Sequence, residues 1–198
     1  KSPPTFALMH AIEPFFNWRH LYTAEEDPLS PFHGTEHSEF EFQHAVYDHA
    51  IHPQWDPFGS STLYLKVLFA DYEEGFAVIE FIGEWNDLLH NDIMYLKRDV
   101  VEPMLAEGIS KFILIGESVL NFHPGEEDYY AEWFDEATDA GGWIALVNFL
   151  QHVREDLQAA DLDQYLLFGG KLDELAWRSM EPDELFAKVD AQVVRRLG

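Results

Sequence analysis

Six residues, "KFILIG" at 111 to 116, limit the fold of this chain more than any other feature. Side chains in a strand point alternately to the two sides of its sheet, so four consecutive apolar residues require cover on both. Helices supply such layers in α/β proteins. The preceding segments agree. "TLYLKVLFA" and "FAVIEFIG" are β-branched and aromatic runs joined by "DYEEG", a loop of hairpin length ending in glycine. Between hairpin and strand, "NDLLHNDIMYLKRDVVEPMLAEG" places Leu89, Ile93, Leu96, Val100 and Met104 on one helical face, with Asn86 or Asn91 to cap the start and Gly108 the end. Pro103 inside that pattern predicts a kink, because its ring opposes the carbonyl four residues back.

Downstream, "GGWIALVNFLQHVREDLQAADL" fits two readings. Trp143, Leu146, Leu150, Val153 and Leu157 suit one long helix. Alternatively "WIALVN" is a strand and a helix begins near Phe149. The second is preferred, because "QYLLFGG" then completes a strand–helix–strand unit. "PDELFAKVDAQVVRRL" predicts a last helix, with Pro182 at its first position, Leu185, Val189 and Val193 facing inward, and Arg195 and Arg196 complementing its dipole. The fold class expected is α/β: an N-terminal β-hairpin, then alternating helices and strands in a mixed, mostly parallel sheet.

Residues 1 to 60 read differently from residues 61 to 198, the α/β domain. They hold seven of the ten histidines and seven of the ten prolines, the pattern of an irregular extension packed on the main domain. One ordered piece is expected between Phe40 and Ile51, where alternation and helical spacing compete. Trp55, Trp85, Trp133, Trp143 and Trp177 are dispersed and suit the core.

The order of elements over residues 62 to 198 resembles the STAS, or anti-sigma-factor-antagonist-like, domains. The resemblance implies a bacterial regulatory module working through protein partners, with a phosphorylatable hydroxyl at the start of the helix after "KFILIG". Ser118 in "GESVLNFH" is the nearest hydroxyl, but the Asp-Ser-Ser/Thr-Gly context of that family is missing, so the switch does not carry over.

Charge narrows the function classes. Against 37 acidic residues there are 12 lysines and arginines, a net charge of −25. Phosphate backbones and anionic lipid repel such a chain, so no nucleic acid and no membrane partner is expected. The acidic residues are spread along the chain, as in proteins adapted to high salt, where self-repulsion is screened. Cysteine is absent, which removes thiolate chemistry and disulfides and suits a cytoplasmic protein. The start "KSPPTFALMH" has no continuous apolar region of the signal-peptide kind, since Glu13 and Pro14 follow.

Ligands of open α/β sheets gather beyond the carboxyl ends of the parallel strands. Those ends nominate Glu84, Asn86 and Asp87, then Glu117, Asn121 and His123, then Asn148 and Lys171, with no ligand specified. Glu117 and His123 are the candidate acid–base pair of an alternative reading as a small hydrolase or metal-dependent enzyme. "GES" lacks the second glycine of a nucleophile elbow, Leu120 standing in its place, and "FGGK" lacks the phosphate-loop pattern. His33 with His37, and His49 with His52, have spacings found in metal sites, and Glu36, Asp48 and Asp56 offer oxygens. No recognised ligand set emerges, so no metal and no cofactor is expected. The reading is a non-enzymatic interaction or regulatory domain, open to a protein partner or to self-association.

Overall fold

The chain builds a small sheet before its main one. The computed structural model describes residues 10–38, 42, 44–47 and 49–197. Strands β1 (His10–Ile12), β2 (His44–Val46) and β3 (His49–Ile51) form a three-stranded sheet in the order β1-β3-β2. Alternation therefore prevails over helical spacing in the part of the Phe40–Ile51 segment that is described. Phe40 and Asp48, like residues 1–9, lie outside the described residues.

The main sheet has the order β4-β5-β6-β7. Strands β4 (Leu63–Asp71) and β5 (Phe76–Asn86) make the antiparallel hairpin, and β6 (Lys111–His123) and β7 (Trp143–Val147) add to it in parallel. Phe112, Ile113, Leu114 and Ile115 are completely buried, as a central strand demands. One face, with Ala77, Ile79, Phe112 and Leu114, packs against helices α2 (Asp92–Tyr95), α3 (Glu102–Ala106), α4 (Asp128–Asp139) and α5 (Gln151–Ala159). The opposite face, with Val78, Ile113 and Ile115, packs against Leu185, Val189 and Val193 of α6 (Pro182–Leu197) and against Trp18 and Trp177. Ala24, Phe32 and Phe58 from the N-terminal part join the first of these clusters. All five tryptophans expected in the core are buried.

Three elements differ from the sequence pattern for physical reasons. The segment after β5 is not one kinked helix. It opens with a single turn, α1 (Asp87–His90), which the side chain of Asn86 caps by accepting from the Leu89 N–H. Asn91 then adopts a left-handed conformation (φ 53°) and resets the helical phase. Ile93, Leu96, Val100 and Met104 stay fully buried, whereas Leu89 is thrown outward. Ahead of Pro103 the ladder widens into a π-helical segment, Leu96–Val101, in which the Glu102 N–H reaches the Lys97 carbonyl five residues back. The wider turn accommodates a residue that lacks a donor and crowds the carbonyl behind it.

The second difference is β6, which does not stop at Gly116 but continues to His123, paired along its length with the long β5. In the third, "QYLLFGG" makes one parallel bridge, Ala145↔Leu167, instead of a strand. A short 3-10 turn (Leu162–Gln164) precedes it, and Gly169 and Gly170, both at positive φ, turn the chain away after it.

Candidate functional site

Because β5 and β6 run on past the core, the polar residues predicted for one rim fall into two groups. The register between these strands shifts twice, between Glu80 and Ile82 and between Gly83 and Glu84. At the first shift three steps along β6, Ile115 to Ser118, match two along β5. Such a bulge re-aims the side chains around it.

Glu117 belongs to the first group. Its carboxylate accepts from Asn148 Nδ2 (2.8 Å), Trp177 Nε1 (2.8 Å) and Arg178 Nη2 (2.9 Å). Arg178 Nη2 also reaches Glu80 (3.1 Å), whose other oxygen accepts from the Phe15 N–H (2.7 Å). The guanidinium stacks over Trp177, 4.6 Å from the ring centre. Asn148, left-handed at φ 55°, exchanges two 2.8 Å hydrogen bonds with the Leu175 backbone. The group therefore fastens the N-terminal segment and the stretch before α6 onto the sheet. Burial alone would raise the Glu117 carboxyl, but hydrogen bonds from Asn148, Trp177 and Arg178 outweigh it and hold it below the usual range. Glu80 goes the other way: burial pushes it up to about 7, only partly offset by the Phe15 N–H and Arg178.

The second group stands at the end of the two long strands, where Glu84 pairs with Asn121 and Asn86 with His123. Asn86 Nδ2 donates to Glu84 (2.8 Å), and the Tyr47 hydroxyl donates to Glu84 while accepting from Asn121 Nδ2 (3.0 Å). His123 Nε2 lies 3.6 Å from Glu84. Next to these, Asp87 is buried and accepts from Tyr130 Oη (2.6 Å), the Ile93 N–H (2.8 Å) and Trp85 Nε1 (3.0 Å). Burial pushes its carboxyl up to about 6 against the pull of those donors. Asp92 is raised for the same reason while accepting from the Asn86 N–H.

Glu117 and His123 are not brought together. Six residues of strand separate them, roughly 20 Å at ~3.3 Å per residue, and each is engaged by different neighbours. Lys171 is exposed on the 3-10 turn Gly170–Asp173, apart from both sets of contacts. Ser118 sits within β6, opposite Ile82. The helix after β6 is α4, entered through "PGEED", which carries no hydroxyl.

Over Asp87 lies an open cleft of about 440 Å³, with Leu88 and Leu89 on one wall and Pro124, Glu126, Asp128 and Tyr129 on the other. Gly125 lets the β6–α4 connection approach α1 closely, since a Cβ there would stand 3.0 Å from the Asp87 backbone. Leu88 and Leu89 are 68% and 75% exposed.

Sequence reasoning did not nominate Arg178, Glu80, Tyr47 or Leu88. Glu80 had a signal: a carboxylate inside "FAVIEFIG", otherwise apolar on both faces, must have a partner or a shifted pKa. Lys66 in "TLYLKVLFA" carries the same signal. It is buried with Asp56 beside Glu25 and His37, a set of metal-capable side chains whose ligand atoms lie within 4.8 Å of one another.

No family model matches the sequence, and no curated protein does. Among solved structures the fold is similar to that of a protein assigned as an anti-sigma factor antagonist from Thermotoga maritima (16% identity over 64% of this chain and 92% of that one, TM-score 0.42). It is also similar to the anti-sigma factor antagonist SpoIIAA in its unphosphorylated form (12% identity, 64% and 96% of the two chains, TM-score 0.44). A third similar structure is the Bacillus cell fate determinant SpoIIAA in the phosphorylated form (11% identity, 63% and 98%, TM-score 0.40). The likeness is one of α/β outline.

Proposed function

We propose that the chain is a non-enzymatic regulatory domain that binds a protein partner at the edge formed by α1 and the β6–α4 connection. One observation carries this reading: two adjacent leucines stand largely exposed on a single helical turn, over a cleft walled on its far side by Glu126 and Asp128. Exposed apolar side chains rimmed by charge are characteristic of interaction surfaces. The turn is also held in place, by the Asn86 cap and by three donors on Asp87, so little ordering cost attends docking. A net charge of −25 selects the partner: a segment with apolar side chains flanked by lysine or arginine. Self-association of two such acidic edges is disfavoured by the same charge, as are nucleic acid and anionic membrane.

No helix among the described residues is long and apolar enough to cross a membrane. We place the domain in the cytoplasm of a bacterium adapted to high salt, a reading supported by the acidic residues spread along the chain. We take residues 1–60 as an extension packed on an α/β domain of residues 61–198. The eight residues named from the strand ends divide by role. Glu117 and Asn148 brace the fold, Glu84, Asn86, Asp87, Asn121 and His123 support the docking edge, and Lys171 stands outside both.

Binding of a library of basic amphipathic peptides, followed by fluorescence anisotropy, tests the reading. Peptides that bind should lose at least about tenfold in affinity when Leu88 and Leu89 are both changed to Asp, with folding unaffected, because both side chains are already in water. Equal binding to the variant, or dimerisation in sedimentation that the same variant abolishes, would count against a basic partner at this edge.

A further inference from the structure

The Glu25, His37 and Asp56 side chains come from three separate stretches of chain and meet beside β4. One imidazole and two carboxylates form a donor set suited to zinc and its first-row neighbours. Asp56 is wholly buried, and its Oδ2 has no hydrogen-bond donor, although Lys66 Nζ stands 3.2 Å away. The Lys66 ammonium is the one cation within ion-pair distance of that oxygen among the described residues. Both ring nitrogens of His37 face carboxylate oxygens, Nδ1 at 3.1 Å from Glu25 and Nε2 at 2.5 Å from Asp56. A neutral imidazole donates from only one nitrogen, so in that form one of these pairs opposes lone pair to lone pair, a conflict that either a second ring proton or a metal cation relieves. A metal cation bound by Nδ1 and the Glu25 carboxylate, whose 3.1 Å separation suits two ligands of one ion, removes the conflict. The other N–H then donates to the second carboxylate, as the second nitrogen of metal-bound histidines commonly does. His37 also lines a cavity of about 300 Å³ together with Glu36, His44 and His52, which gives an ion a way in.

We propose that Glu25, His37 and Asp56 bind one divalent first-row transition metal ion, which displaces the Lys66 ammonium from the same two carboxylates. Lys66 contacts both Glu25 and Asp56, so ammonium and metal compete for one position. The proposal is independent of the docking edge. It also departs from the absence of a metal expected from histidine spacing, because Glu25 lies twelve residues before His37 and Asp56 nineteen after it.

Titration of the chelator-treated full chain with Co²⁺, followed by visible absorption, decides the matter. The expected result is a d–d band saturating at one equivalent, lost in His37→Gln. In Lys66→Met the affinity should tighten by about tenfold or more, since a neighbouring positive charge is gone. Circular dichroism establishes that each variant is folded, and the wild-type titration stands even where one is not. Three results would overturn the proposal: no band in the wild-type chain, a band that survives in folded His37→Gln, or a band confined to Lys66→Met. The first and last would leave an ion-pair ring closed by Lys66; the second would place the ion on other histidines.

Discussion

Glu80 and Glu117 share the guanidinium of Arg178 yet titrate in opposite directions, because burial dominates for one and hydrogen bonds for the other. The signs fix the pH dependence. Glu80 is raised from 4.5 to about 7, so its contribution to stability is fully present below about 4.5 and is lost as pH rises through about 7. Glu117 is lowered, so its contribution is present above its unfolded value and is lost as the solution is acidified. Denaturant unfolding of Glu80→Gln against the wild-type chain should show the variant gaining relative stability from pH 4.5 to 7, by up to roughly 3 kcal/mol. A difference that is flat across that window would mean Glu80 is not raised. Glu117→Ala removes one acceptor each from Asn148, Trp177 and Arg178 and should cost ~1–3 kcal/mol at neutral pH. A loss below ~0.5 kcal/mol would identify the carboxylate as a solvated group free to meet a ligand.

At the scale of elements, β6 and the α1–α2 junction are the decisive pieces. Ile113 has no exposed surface and packs with Val78, Ile115 and the inner face of α6. Ile113→Ala should therefore cost ~2–5 kcal/mol in equilibrium unfolding through the cavity it leaves, and a harmless substitution would mean the strand is not central. Asn91 holds the left-handed break that throws Leu89 outward. Asn91→Ala should cost about 1–2 kcal/mol, while Asn91→Gly should be near neutral, because only glycine and asparagine enter that conformation readily. If alanine is tolerated as well as glycine, the phase reset has another cause. Most strands and helices were legible: "KFILIG", the hairpin runs and the last helix carry their periods openly, whereas "WIALVN" suits strand and helix alike and reads as a strand only from its neighbours. Ends were not. Nothing in "GESVLNFH" distinguishes a loop from an edge-to-edge continuation, because the pairing that extends β6 comes from β5, whose last residue, Asn86, reaches His123. For the same reason Glu117, Asn121 and His123 read as one rim and separate into two groups.

The whole molecule carries a charge of −25, spread along the chain. Repulsion among surface carboxylates acts over about 10 Å at 0.1 M salt and about 3 Å at 1 M. The apparent melting temperature should thus rise by several degrees between about 0.05 M and 1 M KCl, and a flat trend would leave the charge as a matter of solubility alone. By itself the sequence determined the α/β class, the central strand, the hairpin and the acidic surface, because period and charge are local and additive properties of the chain. Tertiary structure alone decided which polar groups meet. Arg178 joins Glu80 to Glu117 across 98 and 61 residues, and His37 joins Glu25 to Asp56. Such partners are selected by the packing of whole layers, and no spacing along the chain encodes them. The exposed Leu88 and Leu89 have the same origin: one left-handed residue resets the phase of a helix whose apolar pattern would otherwise have buried Leu89.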